Sequence, residues 1–328
     1  MKTTLSILLM TLMMGICSAQ TTEHESDALS MNNPNDTADT LLLDFYRQYS
    51  FFTNPGEYEY MYRKLPDSLP DLCILIQSQF IQPHLAQLPE YSELIPKERW
   101  NEYLRYPTVK SILEGLLSYD SSGLIKERDP ENRLVLTCRE YSILLASILK
   151  YRGIPARVRY GHATYLIPGF HASHVICEVW NENDKCWMLV DPSTGMIDYS
   201  REKFDFSNEL WLQLQKGEID TNLYGVPHRY TGMGSIVAKL CGDLASILGT
   251  EYTAYQYPPI LDYDFQNNNQ LTSRHIEILN RISELMKSID ADNISKLQDI
   301  YNNTPEIQIT KSFESVSSNS DNSTKSNN

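Results

Sequence analysis

TCREYSILLASILKYRGIPARVRYG (residues 137–161) and, a little further on, HVICEVWNENDKCWMLVDP (174–192) are the stretches from which the fold can be read. Thr137 followed by Glu140 is a capping box, so a helix begins with Cys138 as its first residue. Unpaired N–H groups and the positive end of the helix dipole favour a thiolate over a thiol there. From Tyr141 to Leu149 the helix is apolar on nearly every side, which predicts burial. Gly153 and Pro155 end it, with Lys150 and Arg152 near its C-terminus, where cations are favoured. HVICEVW and KCWMLVD are rich in strand formers and make a hairpin around Asn181-Glu182-Asn183-Asp184. With those four residues as the loop, Trp180 pairs with Lys185 and His174 lies opposite Asp191. Directly opposed residues have Cβ atoms roughly 4.5–5.5 Å apart, near enough for a carboxylate to orient an imidazole. A two-residue loop at Asn183-Asp184 displaces the register and weakens that pairing.

A Cys at a helix start, then a His, then an Asp resemble the transglutaminase-like superfamily, a papain-like group of thiol enzymes. The likeness extends over VKSILEGLLSYD (109–120), ENRLVLTCREYSILLASILKYRGIPARVRYG (131–161), HVICEVW (174–180), WMLVDPS (187–193) and GSIVAKLCGDLASILG (234–249). These runs look like one bacterial transglutaminase-like family, matched more weakly from about Phe51 and as far as about Leu261. The resemblance implies an α+β papain-like core, with a buried N-terminal-Cys helix packed on an antiparallel sheet and further helices around it. It also implies a catalytic triad of Cys138, His174 and Asp191, and no particular substrate.

Residues 1–19 read as a secretory signal peptide. Lys2 supplies the positive start, Leu5 to Ile16 the apolar stretch, and Cys17-Ser18-Ala19 a small-residue cleavage site before Gln20. The apolar stretch is too short for a stable membrane span. Cys17 raises a lipoprotein reading, for which Ile16 is a poor preceding residue. An exported chain without an integral membrane segment is expected, periplasmic or extracellular. The 42 acidic against 28 basic residues, a net charge of −14, speak against nucleic acid or an anionic membrane as partner. A protein or peptide substrate is the partner expected.

Residues 20–40 are polar and read as a flexible leader. The transglutaminase-like domain is assigned to 41–262, without an internal linker. Its DLCILIQSQFIQPHLAQL (71–88) reads as a buried helix interrupted near Pro83, and Val109 to Leu117 as another helix. Ile236 to Leu248 is a helix closed by Gly249. A C-terminal helical segment, 263–302, carries Ile276, Leu279, Ile282 and Leu285 as one stripe suited to docking on the core. Residues 303–328 form the tail, low-complexity and disordered from Lys311 onward.

After signal removal Cys73, Cys138, Cys177, Cys186 and Cys241 remain. The odd count leaves a thiol unpaired, with Cys138 the obvious candidate. Cys177 and Cys186 are diagonal neighbours in the expected register and read as buried thiols. A zinc set of His171, His174, Cys177 and Cys186 is disfavoured, because His174 and Cys177 point to opposite faces of a strand. No cofactor pattern is read, and no acidic loop has calcium-ligand spacing. Arg157 and Arg159 share a strand face that suits either a substrate carboxylate or internal salt bridges, the latter favoured. His162 and His228 stay unassigned.

The triad implies covalent thiol catalysis on an amide, a glutamine side chain or a peptide bond. Cys138 attacks, His174 holds the thiolate and protonates the leaving amine, and Asp191 orients the imidazole. The backbone N–H of Cys138 supports the oxyanion, and a second donor is left unspecified. Water or an amine resolves the thioester, with hydrolysis favoured. The competing reading is a non-catalytic protein- or peptide-binding module that keeps the fold.

Overall fold

The computed structural model describes residues 34–124, 127–262 and 271–312. The expected signal peptide and the tail beyond Ser312 lie outside the described residues. Helix α1 (Pro34–Arg47) is followed by α2 (Leu69–Gln79), α3 (Val109–Tyr119) and α4 (Cys138–Tyr151). Five strands come next in the chain: β1 (Ala156–Ile167), β2 (Phe170–Asn181), β3 (Cys186–Asp191), β4 (Met196–Ile197) and β5 (Phe204–Phe206). Then come α5 (Ser207–Lys216), β6 (Tyr224–Val226), β7 (Tyr230–Thr231), α6 (Met233–Ile247), α7 (Ser273–Leu285) and α8 (Ala291–Asn303). The sheet runs β4-β3-β2-β1-β5 with antiparallel neighbours, and β6 joins β2 in parallel. The chain is α+β, as expected.

Helix α4 is almost wholly buried because it fills the layer between the sheet and the preceding helices. Ile143, Leu144, Leu145 and Ile148 have no exposed surface and share a core with Ala156 and Val158 of β1 and with Val175, Cys177 and Val179 of β2. Those strand residues alternate, so they line one face of the sheet. Ile176, Leu189, Phe204 and Phe206 form a separate cluster from the intervening positions. Full burial of one such aliphatic side chain stabilises the fold by about 1.5–3 kcal/mol. Gly161 permits β5 to approach, since a Cβ there would run into the Asp205 carbonyl and lie 2.8 Å from the Phe204 ring.

Helix α6 protects the edge of β1 that β5 leaves open. Tyr160 N–H donates to Asp243 Oδ1 at 2.8 Å, and Ser246 Oγ donates to the Val158 carbonyl at 2.7 Å. Helices α5 to α8 then close a further core around Trp211, Leu240, Leu244, Leu279, Ile282 and Leu297. The α7 stripe docks there as expected, with Leu279 and Ile282 buried and Ile276 and Leu285 packed at its margin.

Several expectations need correction. Helix α2 begins at Leu69 after the cap Ser68 and stops at Gln79, because Phe80–Ile81 pairs in parallel with Leu134–Val135 just before α4. Helix α1 starts at Pro34, inside the expected leader. The fold continues past residue 302, since Ile307 is buried and Lys311–Ser312 pairs with Gln256–Tyr257. The hairpin loop is Glu182–Lys185, not Asn181–Asp184. Lys185 adopts φ 51° at its end, so Asn181 pairs with Cys186, Val179 with Met188 and Cys177 with Val190. Cys177 is a buried free thiol, whereas Cys186 is only half-buried.

Candidate active site

Thr137 caps α4 as its sequence implies: the Glu140 carboxylate accepts from the Thr137 N–H at 2.9 Å and from its hydroxyl at 2.6 Å. Glu140 is itself held by Arg139 at 2.9 Å, and Arg139 reaches the carbonyls of Pro107 and Glu251. The first turn is therefore fixed from behind, while Cys138 keeps partial access to solvent.

The outer edge of β2 explains how that turn meets the sheet. Strand β6 pairs with β2 only at His171 and Ala172, and the β3 ladder begins at Cys177. In the gap between them, the Val175 carbonyl accepts from Ser142 Oγ of α4 at 3.1 Å, a donor shared with the Cys138 carbonyl at 3.0 Å. Cys177 Sγ in turn donates to the Ser142 carbonyl at 3.1 Å. A helix start thus takes the place of a strand beside His174.

His174 Nε2 lies 2.8 Å from Asp191 Oδ2. Both side chains are buried. Asp191 is the residue that ends β3, and its carboxylate is saturated with donors. Oδ2 also takes Tyr165 Oη at 2.7 Å and Thr194 Oγ1 at 2.8 Å, while Oδ1 takes the Ser193 N–H at 2.9 Å and its hydroxyl at 2.7 Å. The Gly195 N–H closes the turn on the Asp191 carbonyl at 2.9 Å. With Nε2 committed to Asp191, the other ring nitrogen of His174 is the one left for Cys138.

The electrostatics follow from this arrangement. Burial works against charge on all three groups. For Asp191, His174 together with the Tyr165 and Ser193 hydrogen bonds overcomes burial and holds the carboxyl well below the usual range. For His174, burial is outweighed by the Asp191 carboxylate and by Cys138, which push it up to about 10. For Cys138, burial alone would raise the thiol, but the charge and hydrogen bond of His174, aided by Lys239, lower it. The other buried thiols go the opposite way: burial raises Cys73 and Cys241 to about 12 and raises Cys177 further still. Its neighbours thus set the Cys138 thiol apart from Cys73, Cys177 and Cys241, which burial pushes up.

The remaining sequence candidates do not join this centre. Arg157 binds Glu178 at 2.6 Å, and Arg159 binds Glu178 at 2.7 Å and Asp243 at 2.9 Å, so both are buried in internal salt bridges. His171 Nδ1 pairs with Asp205 at 2.5 Å, and His162 Nε2 sits 3.2 Å from Ser235 Oγ. With His174 on Asp191 and Cys177 on the Ser142 carbonyl, no zinc set assembles. No group of three or more His, Cys, Asp or Glu suited to a metal occurs among the described residues. Sequence reasoning missed Tyr165, Ser193, Thr194 and Lys239. Ser193 had a local signal, since an Asp followed two residues later by a backbone donor forms an Asx-turn. Tyr165 and Lys239 had none, because only the tertiary fold brings them in.

Residues 127–192 match the family model described as Transglutaminase-like superfamily, and the match includes Cys138, His174 and Asp191. This part of the chain carries a transglutaminase-like core. Neither a curated protein nor a solved structure matches the chain. Among the described residues no helix is long and apolar enough to cross a membrane.

Proposed function

We propose that this transglutaminase-like chain is an exported thiol enzyme that acts on amide bonds through a thioester on Cys138, with hydrolysis as its outcome. The observation that carries the reading is the lowered Cys138 thiol beside a His174 whose Nε2 is locked on Asp191 at 2.8 Å. The Cys138 thiolate adds to the amide carbonyl carbon, and the oxyanion is supported by the Cys138 N–H, which has no helical acceptor in the first turn. The carbon–nitrogen bond breaks as the proton of the His174 nitrogen facing Cys138 passes to the leaving amine. Water then adds to the thioester and gives its proton to His174. The carbon–sulfur bond breaks, leaving a carboxylic acid and the starting thiolate–imidazolium pair. An amine in place of water gives a cross-link by the same balance. Water is abundant outside the cell and requires no second binding site, which favours hydrolysis. Export is supported by Lys2, the apolar Leu5–Ile16 stretch and the Cys17-Ser18-Ala19 site.

The test is trapping. Protein incubated with a cell-wall digest or lysate and quenched in acid should carry an acyl adduct on Cys138, located by mass spectrometry. Absence of any adduct, with Cys138 no more reactive to iodoacetamide than Cys73, Cys177 or Cys241, would favour a binding module in an enzyme's fold.

A further inference from the structure

A cavity of about 130 Å³ lies at the far end of α4 from Cys138, between α1, the start of β1 and the end of α6. That is many times the ~10–15 Å³ that a single water needs. Lys150, in its wall, stands twelve residues beyond Cys138 on α4, roughly 18 Å along the axis at about 1.5 Å per residue. The cavity is therefore separate from the triad. Three charged side chains line it, Lys150, Arg157 and Glu251, and they are only 8 %, 5 % and 2 % exposed. Phe45 lines it too and is 42 % exposed, so the cavity reaches the surface beside that ring.

Opposite charges in so confined a space would ordinarily close on each other, since a buried charge without a partner is costly. Here they are held apart. Lys150 Nζ donates to the Gln48 carbonyl at 2.8 Å and, among the described residues, makes no ion pair with Glu251. Glu251 is anchored at both ends. Its carbonyl takes the Arg139 Nε–H at 3.0 Å, and its Oε2 takes the Ser50 hydroxyl at 2.6 Å, with Ser50 tied in turn to Thr53. Arg157, Arg159, Glu178 and Asp243 balance in charge among themselves, so Lys150 and Glu251 are the pair left to face each other across the cavity. Both keep unused capacity. Two of the three Lys150 ammonium donors and the Glu251 Oε1 have no partner among the described residues. Arg157 Nε is spent on Glu178 at 2.6 Å, whereas its Nη1 is buried without a hydrogen-bond partner. Leu248 and Gly249, which follow the last turn of α6, are also in the wall, and the negative end of that helix favours a cation near Glu251.

A ligand with a negative and a positive end meets all of these groups at once. An anion alone satisfies Lys150 and Arg157 but is repelled by Glu251 and the helix end, and a cation alone does the reverse. We propose that the cavity binds a small zwitterion, an amino acid of about the size of glycine to serine. Its carboxylate rests on Lys150 and Arg157, and its ammonium on Glu251. The site does not depend on the chemistry at Cys138.

The test is isothermal titration of the full chain with glycine, alanine and serine, set against acetate and methylammonium, each of which carries one charged end only. At least one of the amino acids should bind with one site per chain. Acetate and methylammonium should bind roughly tenfold or more weakly, the factor expected when one charge-assisted contact is lost. Lys150→Met and Glu251→Gln should each weaken amino-acid binding by a similar factor, and Glu251→Gln leaves the backbone carbonyl to Arg139. Affinity that is unchanged in either variant overturns the assignment to this cavity. The wild-type comparison holds even where a variant fails to fold: acetate or methylammonium binding as tightly as the amino acid, or no binding of any of the three up to tens of millimolar, overturns the proposal.

Discussion

His174 and Asp191 stand 2.8 Å apart although the ladder between their strands does not place them opposite each other. The last pair of that ladder, Cys177 with Val190, leaves Asp191 level with Ile176. The displacement is two residues, which preserves the face of the sheet, whereas a shift of one would have turned the carboxylate away. The contact is then closed by the turn after β3, where Ser193 and Thr194 fix the carboxylate from one side and Tyr165 from another.

Cys138→Ala should abolish acyl-adduct formation and amide turnover while the melting temperature stays within about 3 °C of the wild type. The thiol sits at a helix start with partial solvent access, so its loss opens no large cavity. Adduct mass spectrometry and thermal unfolding check the two halves. Turnover that persists in the variant would remove Cys138 from the chemistry.

Asp191→Asn should slow the reaction by about 10²- to 10⁴-fold, because an amide neither stabilises the imidazolium nor fixes the tautomer. Tyr165→Phe should cost about tenfold, since it removes one hydrogen bond to a charged carboxylate that keeps its other donors. Ordering the two variants by kcat on one substrate tests the arrangement. A larger loss in Tyr165→Phe than in Asp191→Asn would contradict it.

The rate should follow a bell in pH. The thiolate–imidazolium pair forms as pH rises through the lowered Cys138 value, below the ordinary 9.0, and is lost as pH rises through about 10, where His174 gives up its proton. In Asp191→Asn the basic limb should move to lower pH, because the carboxylate that raises His174 is gone. The profile of kcat/KM reports these as joint values of the coupled pair. A basic limb near the ordinary histidine value in the wild type would mean that Asp191 does not support the imidazolium.

Asp243→Ala should destabilise the fold by about 3–5 kcal/mol, the cost of leaving a buried charge without its partner. Arg159 keeps Glu178 but loses its two-oxygen contact, and the Tyr160 N–H loses its acceptor at the open edge of β1. The midpoint of urea unfolding measures this. A change under about 1 kcal/mol would show that Arg159 and the β1 edge are satisfied by other means.

The amino-acid sequence by itself determined the Cys138 helix and both of its ends. Those are local matters: a capping box, a run of apolar side chains and two strand-forming segments act within a few residues of each other. The α7 stripe was legible for the same reason, since helical spacing alone decides which residues share a face. The hairpin register was not, because Lys185 adopts a left-handed conformation that its side chain does not announce, and the loop moved one residue along. Phe80–Ile81 looks helical in a local window, because its distant partner, Leu134–Val135, cannot be seen from there. Tyr165 reaches Asp191 from another strand, a contact that no local pattern announces. Only the tertiary structure decides such contacts, because the burial and charge that give each residue its role are set by neighbours far away in the chain.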